Sequence, residues 1–201
     1  ASTEVVQPVP PSVPLPPLTA QAERDGKGRA FQVIHSEPAF VDLPGTIIDF
    51  APPPSGRELY AICGGVPAVL VLDPVTGATT ARIPVEQPTS IWADEENIVV
   101  ASMRSACVKV FDSRTRLVRW SSQDSPVEGW VPSRIIGPSP SRAYAVLWTA
   151  GPRSRRAVLT EVRPGSTAAV LSGYMQWVTY VAGGRWILAQ NDLSFVLLQA
   201  D

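Results

Sequence analysis

The sequence predicts an all-β protein, built from a unit of four short strands that recurs along most of the chain. Short runs of β-branched and aromatic residues are separated by glycine, proline and other turn residues. No window keeps a helical period for more than about two turns. Similar strands recur at intervals of about 40 residues, which is typical of the blades of a β-propeller. We therefore expect a β-propeller, or part of one, with about four blades of four antiparallel strands.

An apolar strand that ends in a polar residue marks the repeat. Val69–Asp73 is followed 39 residues later by Val108–Asp112. Ala157–Glu161 follows after a further 49 residues, and Phe195–Gln199 after 38 more. Upstream, Phe31–His35 precedes the first of these strands by 38 residues. One interval is long, and the others agree within one residue.

Each interval divides into predicted strands separated by turn residues such as proline, glycine, asparagine and aspartate. In the first unit the strands are Thr46–Phe50, Leu59–Cys63, Ala68–Asp73 and Thr79–Val85. In the second they are Ser90–Ala93, Ile98–Ser102, Cys107–Asp112 and Leu117–Ser121. In the third they are Arg134–Ile136, Ala143–Thr149, Ala157–Val162 and Ala168–Ser172. The fourth has Trp177–Val181, Arg185–Ala189 and Ser194–Gln199, and two strands at Phe31–Ser36 and Ala39–Leu43 precede the first unit.

The third strand of a unit is apolar at consecutive positions, as in Ala68–Leu72. A strand with one solvated face alternates apolar and polar residues, so this pattern predicts a strand that is covered on both faces. Sheets that stack face to face around an axis cover their inner strands in this way.

Two segments resemble known propeller repeats. Val108–Thr115 resembles the third strand and the following turn of a WD40 repeat. Leu59–Ala61 together with Val69–Gly77 resembles the YVTN and quinoprotein-like repeats. The resemblance covers about residues 31–201 and implies a propeller fold. The repeats are degenerate, since Phe111-Asp112 stands where a WD40 repeat has Trp-Asp.

The chain divides into a proline-rich flexible leader or linker, residues 1–29, and a β-propeller-like repeat domain, residues 30–201. The last unit lacks its fourth strand, so the repeat domain is expected to be incomplete. An N-terminal strand that completes this unit is one alternative. Further blades beyond Asp201, or in another subunit, are the other.

The side chains that catalysis and zinc binding require are scarce. The chain has one histidine, His35, and two cysteines, Cys63 and Cys107, without CxxC spacing. The segment Asp94–Glu96 is predicted to be a hairpin turn. We predict no catalytic residue, no metal site and no cofactor.

Acidic side chains recur at the end of the third strand, at Asp73, Asp112 and Glu161. A carboxylate at this place accepts hydrogen bonds from the amides of the following turn. We therefore predict that these residues cap turns.

Two loops carry the candidate residues for binding a partner. Trp130 lies in a loop flanked by prolines, and tryptophan is common among the residues that dominate interface energies. Arg153, Arg155 and Arg156 lie in the predicted second hairpin of the third unit. Arginine binds carboxylates and phosphates through two parallel hydrogen bonds, so an acidic partner would suit this loop.

Charge and composition narrow the function classes. The chain has 17 basic and 18 acidic residues, which gives no general attraction to nucleic acid or to an anionic membrane. The cysteine usage favours an intracellular location in the cytoplasm or nucleus, with a processed secreted or periplasmic form as the alternative. We expect a non-catalytic scaffold for protein partners within a larger assembly. A propeller enzyme, either a metal-dependent hydrolase or a quinoprotein-like oxidoreductase, and a partial propeller completed by another chain are the alternatives.

Overall fold

The computed structural model describes residues 19–24, 30–35, 42–53, 55–122, 125–138, 143–151, 154, 156–175, 177–181, 186–190 and 195–199. Within these ranges every regular element is a β-strand, and all of the strands pair in an antiparallel manner. In the same ranges, no helix has the length and apolar character that crossing a membrane requires. The predicted all-β class is confirmed.

The strands form an N-terminal hairpin and four larger sheets. The hairpin consists of β1 (Thr19–Arg24) and β2 (Ala30–His35). Sheet I contains β3 (Ile47–Ala51), β4 (Leu59–Cys63), β5 (Ala68–Leu72) and β6 (Thr79–Pro84). Sheet II contains β7 (Pro88–Ala93), β8 (Asn97–Ser102), β9 (Cys107–Asp112) and β10 (Val118–Ser121). Sheet III contains β11 (Val131–Pro138), β12 (Tyr144–Thr149), β13 (Arg156–Arg163) and β14 (Ser166–Tyr174), and sheet IV contains β15 (Trp177–Val181), β16 (Trp186–Gln190) and β17 (Phe195–Gln199).

The predicted strands from residue 46 onward correspond one to one with β3–β17. The largest differences in bounds are in sheet III, where β11 and β14 are longer than predicted. The strand predicted at Ala39–Leu43 is not formed at Asp42 and Leu43, the part of it that the structure describes.

Strand β1 was not predicted, and it lies within the segment expected to be a leader. It pairs with β2, so the described N-terminal strand does not complete sheet IV. The rest of the leader, residues 1–18 and 25–29, lies outside the described residues.

The central strands are buried on both faces, as their consecutive apolar residues predicted. In β8, Ile98 and Val100 pack with residues of sheet I, whereas Val99 and Ala101 pack with residues of sheet III. Successive side chains of a strand point to opposite faces, so one strand contributes to two clusters.

Three apolar clusters fill the spaces between consecutive sheets. Between sheets I and II lie Ala51, Tyr60, Ile62, Val69, Val71, Ile83, Val85, Ile91, Ala93, Ile98, Val100 and Phe111. Between sheets II and III lie Val99, Ala101, Val108, Val110, Ile135, Val146, Trp148 and Val162. Between sheets III and IV lie Ala145, Leu147, Ala157, Leu159, Met175, Val178, Ile187 and Ala189. The first strands of neighbouring sheets, β3, β7, β11 and β15, also contact one another in chain order, so the sheets stack as propeller blades do.

Strand direction assigns the loops to two ends of the stack. Because neighbouring strands are antiparallel, the loops between second and third strands share one end with the loops between successive sheets. We call this the entry end, since the first strand of each sheet begins there. The first and last hairpins of each sheet lie at the opposite, or far, end.

Candidate interaction surface

Trp130 lies at the entry end, directly before β11. Its loop is a compact turn, in which the Trp130 amide donates to the carbonyl of Val127 at 3.1 Å and Gly129 adopts a positive φ of 77°. The indole is half-buried and packs against the cluster between sheets II and III. Trp130 therefore contributes to the contact between sheets as well as to the surface.

Arg156 begins β13 and is exposed at the same end. Its Nε atom donates to the hydroxyl of Tyr174 at 3.2 Å, and its guanidinium lies 5.7 Å from the centre of that ring. A guanidinium held over an aromatic ring is oriented while its other donors face solvent. Arg153 and Arg155 lie outside the described residues.

Thr149 brings the two candidate segments together. It ends β12 and pairs with Val131 of β11 on one side and with Ala157 of β13 on the other. Trp130 and Arg156 each directly precede one of these partners, so their Cα atoms lie roughly 10 Å apart across the end of sheet III. The buried Oγ1 of Thr149 has no hydrogen-bond partner in the described part of the chain.

An apolar cleft opens at the entry end between sheets I and II. It has a volume of about 330 Å³. Its walls come from β3, from the β4–β5 and β8–β9 loops and from the β6–β7 connection, and they include Ile48, Val66, Pro67, Pro88 and Met103. Most of these residues are apolar, so the cleft suits an apolar side chain.

No sequence pattern directly indicated this cleft. The pairing of β3 with β4 shifts register between Ile47 and Asp49, so Ile48 is an extra residue that the strand alternation does not anticipate. Ile48 is exposed, as are its neighbours Ile47 and Phe50. If the bulge is ignored, the strict alternation of side chains along a strand assigns the Ile48 side chain to a face from its position alone.

A second cleft, of about 430 Å³, opens at the far end between the same sheets, and it is charged. Arg116 Nη2 donates to Glu58 Oε1 at 2.7 Å, and the Tyr60 hydroxyl donates to Glu58 Oε2 at 2.7 Å. Burial, followed by the bond to Glu58, raises the pKa of Tyr60 well above its usual range. The ion pair joins sheet I to sheet II, so it holds two blades together.

The predicted turn caps are confirmed at two of the three acidic positions. Asp73 Oδ1 accepts from the amides of Val75 and Thr76 at 2.8 and 2.7 Å. Asp112 Oδ1 accepts from the amides of Arg114 and Thr115 at 3.0 and 2.7 Å. These bonds, led in each case by the amide three residues on, lower the pKa of both carboxyls.

Glu161 makes an ion pair within its own strand. Its Oε2 accepts from Arg163 Nη2 at 3.3 Å, two residues along β13. For this residue the turn cap stays a prediction.

Asp94 caps the hairpin between β7 and β8. Its Oδ1 accepts from the amides of Glu96 and Asn97 at 2.7 and 2.6 Å. The segment Asp94–Glu96 therefore forms the turn that the sequence predicted. In the described ranges, no three His, Cys, Asp or Glu side chains are grouped so that they could hold a metal ion.

Most of the tryptophans that the structure describes pack between blades. Trp148 is fully buried and its Nε1 donates to Thr160 Oγ1 at 2.8 Å. Trp92 and Trp120 both lie against the ring of Tyr144, with centroids 5.6 and 6.1 Å away. These three tryptophans therefore contribute to the packing between sheets II and III. The side chains of Trp177 and Trp186 lie outside the described part.

No protein-family model matches the sequence, and no curated protein matches it either. Solved structures do resemble the chain. Hydrazine synthase from Kuenenia stuttgartiensis, a propeller protein, superposes with a TM-score of 0.57 and 19% identity over 80% of this chain. This chain spans 47% of that hydrazine synthase chain. The β-propeller domain of Cps50 (Swd1) from Myceliophteria thermophila has a TM-score of 0.47 and 12% identity, and the match covers 90% of this chain and 79% of that one.

At such low sequence identity, structural similarity is evidence of a shared fold and not of a shared function. The stacked four-stranded sheets and the likeness to hydrazine synthase agree with each other. The chain is built from degenerate β-propeller repeats.

Proposed function

We propose that the chain is a non-catalytic scaffold that binds a protein partner at the entry end of its blades. One observation supports this proposal above the others. The entry end combines an apolar cleft between sheets I and II with an exposed arginine and a half-buried tryptophan on sheet III. Apolar pockets flanked by aromatic and arginine side chains are typical of the energetic centres of protein interfaces.

The apolar cleft and Arg156 indicate the chemistry of the partner that we propose. The cleft of about 330 Å³ accepts an apolar side chain. Arg156, oriented by Tyr174, attracts a carboxylate, and Arg153 and Arg155, which precede it in the sequence, add positive charge to this segment. The proposed partner is therefore a protein segment with an apolar anchor and acidic residues.

The rigidity of the blades supports a scaffold role. Arg156 begins a strand, and the cleft is lined by β3 and by short loops between strands that buried clusters hold in place. Short loops between fixed strands lose little conformational entropy when a partner binds, so ordering reduces the affinity less.

Peptide display on the immobilised chain tests the proposal. Peptides selected against the wild-type protein should contain acidic and apolar residues. Their affinity should fall about tenfold for Arg156→Ala and for Met103→Ser, because each change removes one of the two contacts. Binding measured by fluorescence anisotropy should also weaken with added salt in the wild type and less so in Arg156→Ala.

Two variants at the far end serve as controls. Arg114→Ala and Val75→Ser change exposed residues of similar chemistry. They should leave the affinities unchanged, and thermal unfolding should show that all four variants are folded. Selected peptides that lose affinity for the far-end variants, and keep it for the entry-end variants, would contradict the proposed surface.

A further inference from the structure

In sheets I, II and III the fourth strand is an outer edge. Within the described part of the chain, β6, β10 and β14 each pair with one strand only, the third strand of the same sheet. An edge strand leaves the N–H and C=O groups of every second residue free on its open side, where they can pair with another chain. Folded proteins protect such edges with charged side chains, with proline or with short strands.

Two of the three edges carry this protection. Strand β6 contains Arg82 and ends at Pro84, which has no N–H to donate to a neighbouring strand. Strand β10 is four residues long and contains Arg119. Both edges are therefore poor sites for pairing with another strand.

Strand β14 has none of this protection. It runs over nine residues, Ser166–Tyr174, without a charged residue or a proline. All of them except Thr167 and Leu171 are exposed, and Val170 and Tyr174 are 44% and 62% exposed. All three outer strands contain a register shift, so a bulge does not distinguish β14 from β6 and β10. A long, uncharged and accessible edge is a site for strand addition.

We propose that β14 pairs in an antiparallel manner with β14 of a second copy of this chain, across a two-fold axis. Each strand of an antiparallel pair both donates and accepts hydrogen bonds, so an edge is complementary to a copy of itself. The two strands also have equal length. Pairing consumes the open edge of β14 in both copies, so the assembly closes at two.

The charges around β14 favour a second copy as the partner. A strand with charged side chains would find no opposite charge on β14, whereas a second β14 brings none that needs one. The neighbouring β13 carries Arg156, Glu161 and Arg163. Across the axis, the two β13 strands lie three strand spacings apart, roughly 14 Å, which exceeds the Debye length of about 8 Å at physiological ionic strength. Their charges therefore oppose the pairing little.

The size of the contact sets its strength. Nine residues extend over roughly 30 Å, and a sheet is about 10 Å thick, so the contact covers about 300 Å² of each copy in outline. A stable interface buries about 800 Å² on each partner, so this contact forms a weak, concentration-dependent dimer. It involves neither the cleft between sheets I and II nor the guanidinium of Arg156, so it is separate from the partner site proposed at the entry end.

Sedimentation velocity over a concentration range from about 1 to about 500 µM tests the proposal. The wild-type chain should shift from monomer to dimer as its concentration rises. Val170 is the middle residue of β14, so a two-fold axis through the paired strands brings the two copies of this residue close together. Val170→Lys should therefore weaken dimerisation by about tenfold or more, because two like charges then meet at the axis. The control Val118→Lys adds the same charge to the edge strand β10, at a residue that is 54% exposed, and it should dimerise as the wild type does.

A charge exchange distinguishes two-fold pairing of β14 from other assemblies. Val170→Lys and Val170→Glu should each dimerise poorly alone, whereas an equimolar mixture should recover the dimer, because opposite charges then meet across the axis. Loss of folding in either variant would not produce this recovery, and circular dichroism checks that each is folded. A wild-type chain that stays monomeric at every concentration overturns the proposal. So does a dimer that Val170→Lys leaves unchanged, a mixture that shows no recovery, or an assembly that grows beyond two copies.

Discussion

The hydroxyl of Ser90 donates a hydrogen bond of 2.7 Å to Oδ2 of Asp49, and this bond joins the first strands of sheets I and II. The same carboxylate oxygen accepts from the amide of Ile91 at 3.0 Å. The Ser90 oxygen in turn accepts from the amide of Ile135 at 3.1 Å, which reaches the first strand of sheet III. One buried serine therefore links the inner strands of three consecutive blades.

Replacing Ser90 with alanine should destabilise the fold. The change leaves the buried amide of Ile135 without its acceptor and Asp49 Oδ2 with one donor fewer, and the loss of a buried acceptor costs about 1–3 kcal/mol. Urea unfolding followed by circular dichroism measures the free energy of unfolding. The exposed Ser166→Ala should change it by less than about 0.5 kcal/mol. Equal effects at both serines would contradict the role of this link.

Replacing Thr160 with valine should destabilise the contact between sheets II and III. Valine matches threonine in shape and lacks the hydroxyl, so the buried indole N–H of Trp148 loses its acceptor at a cost of about 1–3 kcal/mol. Thr160→Ser keeps the hydroxyl and should be the milder change. Chemical unfolding of the two variants, followed by tryptophan fluorescence, checks the order, and a serine variant less stable than the valine variant would refute it.

Alanine at Gly137 should be more destabilising than alanine at Gly151. Both glycines have a φ that side chains rarely adopt, at 126° and 150°. A Cβ at Gly137 would also lie 3.3 Å from Nε1 of Trp92, whereas a Cβ at Gly151 would meet nothing within 4 Å. Thermal unfolding of the two variants isolates the Trp92 contact. We expect the larger fall in melting temperature for Gly137→Ala, and the reverse order would show that the contact with Trp92 does not constrain β11 at Gly137.

The capped turn at Asp112 should make stability depend on pH. The amide of Thr115, followed by Arg119, lowers the pKa of Asp112 from an unfolded value of about 3.9. A lowered pKa stabilises the folded state above that value, and the stabilisation is lost as pH falls through the folded pKa. The difference in unfolding free energy between wild type and Asp112→Asn should therefore be largest near neutral pH and shrink below about pH 4.

Asp73 provides a matched comparison for the Asp112 turn. Its lowered pKa comes first from the amides of Thr76 and Val75. At Asp112, Arg119 Nε and Nη2 also donate to Oδ2. Added salt should therefore reduce the pH dependence contributed by Asp112 more than that contributed by Asp73. A wild-type advantage over Asp112→Asn that grows as the pH falls would contradict the assigned direction.

The repeat itself could be predicted from sequence because each blade uses the same pattern at the same spacing. Val69, Val108 and Ala157 stand at equivalent places and are all buried by the following sheet. Strands with two buried faces leave an unambiguous apolar run, so the stacking of sheets follows from the pattern.

The candidate interaction surface at the entry end could be predicted only in part, because it depends on local features that do not recur from blade to blade. Ile48 is the extra residue of a bulge, and Trp130 is half-buried against a cluster that forms only when sheets II and III stack. The guanidinium of Arg156 is oriented by Tyr174, 18 residues further on, through a strand pairing that a loop motif does not contain. Strand β1 was missed because Thr19–Arg24 follows a proline-rich stretch and contains few β-branched residues.

Methyl NOE spectroscopy tests the stacking of the sheets most directly. With isoleucine, leucine and valine methyl groups labelled, the structure predicts cross-peaks between sheet I residues such as Val69 and Val71 and sheet II residues such as Ile98 and Val100. It also predicts cross-peaks between Val108 or Val110 of sheet II and Val146 or Val162 of sheet III. Cross-peaks confined to residues of the same sheet would contradict the propeller arrangement.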